Sequence, residues 1–162
     1  MHAIRESEPM KNPTHIEQTS DREIVITRTF NGPARLVFEA WTKPELFTRW
    51  WLPKSYGMAI VSYEMDIRTG GTYRLALQRG TAEPMVFHGK YVEVTPPSRL
   101  VWTNEESPDG PVTTVTFEEK AGKTVVVVHE LHPSKEALDR NRGAEAGMPE
   151  SFEQLDELLA QA

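Results

Sequence analysis

The spacing of apolar residues changes near Gly57, and that change constrains the fold more than any other feature of the chain. After Gly57, Ala59, Val61, Tyr63, Met65 and Ile67 alternate with Ile60, Ser62, Glu64 and Asp66, the period of a strand with one mostly apolar face. Gly70-Gly71 turns the chain into Tyr73–Gln78, and a loop through Gly80 and Pro84 leads into Met85–Val94. Glycine inside that strand, at His88-Gly89, suggests a bulge. Pro96-Pro97, Ser107–Pro111 and Ala121–Lys123 are turns that separate Arg99–Thr103, Val112–Glu118 and Thr124–Glu130. Six strands joined by short turns form an antiparallel meander.

The flanks of the meander are different. Glu23–Phe30 is rich in β-branched residues and reads as a seventh strand, ended by Asn31-Gly32-Pro33. Leu36, Val37, Ala40 and Trp41 then recur at helical spacing, and Pro44 separates this helix from a short second one, Glu45–Trp51. Beyond the meander, Pro133-Ser134 is a candidate cap for a short helix at Lys135–Arg140. The stripe Met148, Phe152, Leu155 and Leu159 marks a last helix whose other side carries Glu150, Glu153, Gln154 and Glu157. Residues 1–20 show no period and are expected to be a flexible tail, leaving 21–162 as a single domain.

Width then decides the architecture. Seven strands about 4.8 Å apart span roughly 30 Å, whereas one helix with its side chains is about 10–12 Å across. The expected fold is therefore α+β: a curved seven-stranded antiparallel sheet around a long C-terminal helix, with two short helices between strands one and two. A volume should remain between sheet and helix, filled by large side chains or by a ligand. The candidate ligand-binding residues are Trp41, Trp50, Trp51, Met65, Tyr73, Phe87, His88, Tyr91, Trp102, His129, Phe152 and Leu155. Aromatic and Met side chains of this kind suit an apolar or aromatic small molecule, and equally a plain core. His88 and His129 are the candidate polar anchors, or else structural histidines.

Composition narrows the function classes. The net charge of −6 argues against binding to a phosphate backbone. Most of that charge lies in Lys135–Ala162, with three bases against seven acids, which reads as a solvated helix face or an acidic docking surface. No apolar run approaches the roughly 20 residues of a membrane span, and the N-terminus lacks the apolar core of a secretory signal. The absence of Cys removes thiolate chemistry and fits a reducing, cytoplasmic setting. His129-Glu130-Leu131-His132 has the wrong spacing for a helical zinc site, since two strand residues three apart point to opposite faces. Neither a metal nor any other cofactor is expected. Asp66 and Arg68 are a candidate surface ion pair.

A longer ordered string of motifs carries a resemblance. Gly32-Pro33, Val37–Glu45, Trp50–Pro53, Glu64–Gly71, Phe87–Val94, Pro97–Thr103, Val128–Glu130 and Gly147–Leu155 resemble the activator of heat-shock-protein-90 ATPase homologue-like family, within the START-like (SRPBCC, helix-grip) superfamily. The likeness covers roughly residues 22–161. Two positions depart from it: Leu52 stands where the family usually has Gly, and Met148 stands where it has Trp, with Pro149 following. Leu52 is expected to alter the loop at the cavity mouth, and Met148-Pro149 to delay or kink the last helix. The resemblance implies a cavity fold more than a reaction. Superfamily members include aromatic-polyketide cyclases, lipid carriers and ligand-sequestering resistance proteins, and the name-giving members act on a chaperone. The resulting expectation is binding or sequestration of a hydrophobic ligand. The alternatives are a cyclase- or hydratase-like enzyme using His88, His129 or Tyr91, and a chaperone modulator. The oligomeric state is left at monomer or homodimer.

Overall fold

The computed structural model describes residues 12–161. Eight strands form one open antiparallel sheet in the order β1-β2-β8-β7-β6-β5-β4-β3. They are β1 (His15–Gln18), β2 (Glu23–Phe30), β3 (Ala59–Met65), β4 (Thr72–Gln78), β5 (Met85–Thr95), β6 (Arg99–Thr103), β7 (Val112–Lys120) and β8 (Lys123–Leu131). Helices α1 (Ala34–Thr42) and α2 (Pro44–Trp50) lie between β2 and β3, and α3 (Lys135–Asn141) and α4 (Met148–Ala160) follow β8.

The sheet has one strand more than the seven expected, and it comes from the stretch read as a tail. His15–Gln18 pairs with Ile24–Thr27 of β2. Four residues are too few for a periodic signal, and neither face is covered, so nothing in the sequence marks them. The rest of the expected tail, residues 1–11, lies outside the described residues.

Alternation dictates the core. Ile24, Ile26, Arg28 and Phe30 of β2 turn inward, as do Thr124, Val126 and Val128 of β8 and Thr113, Val115 and Phe117 of β7. Over them lie Val37, Phe38 and Trp41 of α1 and Phe152 and Leu155 of α4. Phe152 meets Phe30 edge-on at 5.3 Å, and Phe38 meets Phe117 at 5.1 Å. Arg28 is charged yet only 1% exposed. Its Nη1 donates to Asp156 Oδ1 of α4 at 3.0 Å, its Nε donates to the Asn12 carbonyl at 2.7 Å, and its guanidinium sits 4.8 Å from the Phe30 ring centre. That pair ties the C-terminal helix to the sheet.

Helix ends follow local chemistry. Ser134 Oγ accepts from Ala137 N at 3.0 Å, so the expected cap of α3 is present. Helix α4 begins at Met148 with Pro149 in its first turn, where the missing N–H has no intrahelical partner to lose. Met148-Pro149 therefore neither delays nor kinks the helix.

One expected bulge lies elsewhere. The β4–β5 ladder runs unbroken through Gly89, and the register shift in β5 falls between Tyr91 and Glu93, against β6. Gly89 has a different role: a Cβ there would lie 2.0 Å from the Thr103 carbonyl oxygen. The backbones approach too closely for any side chain.

Candidate functional site

On one half of the concave face, α4 packs on β2 through Phe152 against Phe30 and Asp156 on Arg28, and α1 lies over β7 and β8, with Phe38 against Phe117. The other half, β3 to β6, is faced by Trp41 of α1, Phe47 of α2 and Trp51 just beyond it. Between them lies a partly enclosed cavity of about 60 Å³, whose remaining wall is Met65, Tyr73, Leu75, Phe87, Tyr91, Leu100, Trp102 and Asn104. Seven of the twelve sequence candidates meet here: Trp41, Trp51, Met65, Tyr73, Phe87, Tyr91 and Trp102.

The other five do not. Trp50, Phe152 and Leu155 are 1%, 0% and 0% exposed and fill the core beneath α4, so the cavity lies against the short helix pair and no α4 residue lines it. His88 and His129 are on the outer face. Phe87 and Tyr91 of β5 point inward, as do Val126 and Val128 of β8, and alternation sends the histidines the other way. His88 is exposed, and His129 Nε2 is 2.7 Å from Glu23 Oε2. The Glu23 carboxyl is held below its ordinary range by that hydrogen bond and by one to Ser20. His132 is buried beside the Arg22 carbonyl, and no cluster of three metal-ligating side chains exists among the described residues.

Phe47, Leu75, Leu100 and Asn104 line the cavity unforeseen. The inward parity of β4 and β6 identifies the two leucines; Asn104 follows β6 and carries no such signal. Tyr73 donates its hydroxyl to the Thr103 carbonyl at 2.7 Å, with Asn104 Oδ1 as a second acceptor at 3.2 Å. The Asn104 amide donates to the Pro111 carbonyl at 3.0 Å. Burial first, then the charge of Glu106, pushes the Tyr73 hydroxyl well above its ordinary pKa, and burial does the same to Tyr91. Neither tyrosine ionises near neutrality.

Glu130 is the other omission. Across the sheet, Tyr91 pairs with Trp102, Trp102 with Thr113, and Thr113 with Glu130, so all four share the concave face. Burial pushes the Glu130 carboxyl up to about 7, with the charge of Glu145 adding to the effect and His129 opposing it. Its parity with Val126 and Val128 was the available signal.

The rim is held from α4. Gln154 Nε2 donates to the Trp50 and Leu52 carbonyls at 2.8 and 2.9 Å, and its Oε1 accepts from Lys54 N at 2.9 Å. Ser151 Oγ donates to the Trp51 carbonyl at 2.7 Å, and Glu150 accepts from Ser55 N at 2.9 Å. Gln154, expected on the solvent side, is 8% exposed because it serves these backbone groups. A wider hollow of about 340 Å³ lies outside this loop, lined by Arg49, Leu52, Lys54, Met58 and Tyr63 among others. It is open and polar. The departure at Leu52 thus faces this outer hollow.

The sequence matches a known family. The model for "Activator of Hsp90 ATPase homolog 1-like protein" matches residues 31–160. The chain belongs to this family. Its fold is the START-like (SRPBCC) helix grip, one that supports ligand-binding domains in general. A protein of Staphylococcus epidermidis solved by NMR is 30% identical, with a TM-score of 0.77 over 90% of this chain and 93% of that one. A crystal structure from Rhodobacter sphaeroides shares the fold at 20% identity, with a TM-score of 0.83 over 92% of this chain and 99% of the other. One from Nitrosomonas europaea does so at 23% identity and 0.79, over 90% and 98%. No curated protein sequence matches the chain significantly. No helix among the described residues is long and apolar enough to cross a membrane.

Proposed function

We propose that this family member binds a small apolar or aromatic molecule in the cavity between α1–α2 and strands β3–β6. The observation that carries the reading is the wall itself: eleven residues, none charged, seven of them aromatic, on a sheet region that α4 leaves uncovered. Burial against such a wall contributes roughly 25 cal/mol per Å² of apolar surface removed from water. The space is small beside the several hundred Å³ of an ordinary ligand pocket. Occupation therefore requires the wall to open, and its half-buried side chains, Trp51, Met65, Phe87 and Trp102, are those with the most room to give way.

Binding or sequestration is favoured over catalysis because the two histidines offered for acid–base work face away from the cavity. The remaining candidate, Tyr91, keeps its proton. The test is a titration with small aromatic ligands, read by Trp fluorescence and thermal melting. Saturable quenching with a rise in melting temperature is expected. The reading is wrong if neither signal moves across a broad set of lipophilic compounds.

A further inference from the structure

Trp41 is 4% exposed, lines the cavity, and its indole N–H has no hydrogen-bond partner. Its neighbour provides the contrast: Trp50, 4.8 Å away between ring centres, donates its own Nε1–H to the Ala40 carbonyl at 2.8 Å. An unpaired buried donor is expensive and uncommon in a native fold. Trp41 is also fixed in place, with Trp50, Trp102, Phe117 and Phe152 all within 6.2 Å of it. The ring cannot turn toward a backbone acceptor without displacing the core. A water held at the indole would need about three partners, and the apolar wall offers few.

Of the other polar groups on the wall, the Tyr91 hydroxyl and the Trp51 and Trp102 indoles also have no partner among the described residues, but the Trp41 N–H alone is wholly shut off from solvent. The Tyr73 hydroxyl and the Asn104 amide are engaged with backbone carbonyls. No wall residue carries a positive charge that would balance an anion. The raised pKa values of Tyr73 and Tyr91 report the same property, an interior that disfavours negative charge.

Resting on the binding function proposed above, we infer that the occupant is an uncharged, flat, largely apolar molecule with an acceptor oxygen, such as an aryl ketone or a quinone, whose oxygen takes the Trp41 Nε1–H. The ring of such a molecule would meet the aromatic wall, while its single polar atom would satisfy the one unpaired donor that is wholly buried. Hydrocarbons would leave the donor unpaired, and carboxylates would bring an unbalanced charge.

The experiment compares two isosteric probes, acetophenone and α-methylstyrene, which differ only in C=O against C=CH₂. Each is titrated into the wild-type protein and into Trp41→Phe, with the wild-type indole N–H resonances followed by ¹⁵N NMR. Acetophenone should bind wild type about tenfold more tightly than α-methylstyrene, and it alone should shift the Trp41 N–H resonance downfield. Trp41→Phe should bring the two affinities together, whatever its effect on binding as a whole. If the variant does not fold, the wild-type preference and resonance shift decide the matter alone. Equal wild-type affinities with no selective shift would overturn the inference and leave cavity binding standing. Binding of neither probe would overturn the inference, and silence across the wider ligand set would then remove the binding function as well.

Discussion

Replacing Glu130 with Gln should stabilise the protein, and only above weakly acidic pH. The carboxyl sits on the concave face, where burial and Glu145 raise its pKa from 4.5 to about 7. Below about pH 4.5 the group is protonated in both folded and unfolded chains, and its ionisation costs folding nothing. Between 4.5 and about 7 the unfolded chain releases the proton while the folded chain retains it, so stability falls as pH rises through that window. Each pH unit of the interval is worth 1.36 kcal/mol, which makes about 3 kcal/mol in full above neutrality. An amide has the shape of the neutral acid and does not ionise. Urea unfolding of wild type and Glu130→Gln from about pH 5 to about pH 8 should therefore show a difference that grows with pH toward about 3 kcal/mol. A pH-independent difference, or a variant less stable than wild type near pH 8, would refute the placement of Glu130 in a poorly hydrated site.

Two further substitutions probe how α4 is fastened. Asp156→Ala leaves the buried Arg28 guanidinium without its carboxylate and should cost about 3 kcal/mol; in a double-mutant cycle with Arg28→Met, the double variant should recover much of that loss, and strict additivity would show that the pair is not coupled. Gln154→Ala strips hydrogen bonds from the Trp50 and Leu52 carbonyls and from Lys54 N. It should cost about 2 kcal/mol and speed amide exchange at Lys54 more than in the β7–β8 hairpin, whereas uniform acceleration would mean that the side chain does not specifically hold the cavity rim.

Strand parity was the most informative property of the sequence, and the errors arose where it was set aside. In β8 the pattern Thr124, Val126, Val128 runs straight on to Glu130 and sends His129 outward, as the structure has it. Taking the histidine as the chemical group put the wrong residue inside. In β5 the same rule sends His88 outward from Phe87, and the reading of Gly89 as a bulge overrode it. That glycine answers to Thr103, fourteen residues on in sequence and opposite in space, an approach that only the paired backbones display.

Core and cavity, by contrast, could not be told apart from residue type. Trp41 and Trp50 are both aromatic, both helical and both almost wholly buried, yet only the first borders open space. What separates them is the position of α4. Thirteen residues make a rod about 20 Å long, while eight strands span about 35 Å. A rod packed on β2, with α1 over β7 and β8, leaves β3 to β6 to the indole and phenyl rings of Trp41, Phe47 and Trp51, which bridge the gap without interlocking throughout. The cavity is thus the consequence of a sheet wider than its helix. Its location depends on where that helix lies, and here the choice is fixed on one side of α4 by Asp156 on Arg28 and on another by Gln154 on the Trp50–Lys54 backbone. Those polar contacts therefore place the hollow, although none of their side chains touches it.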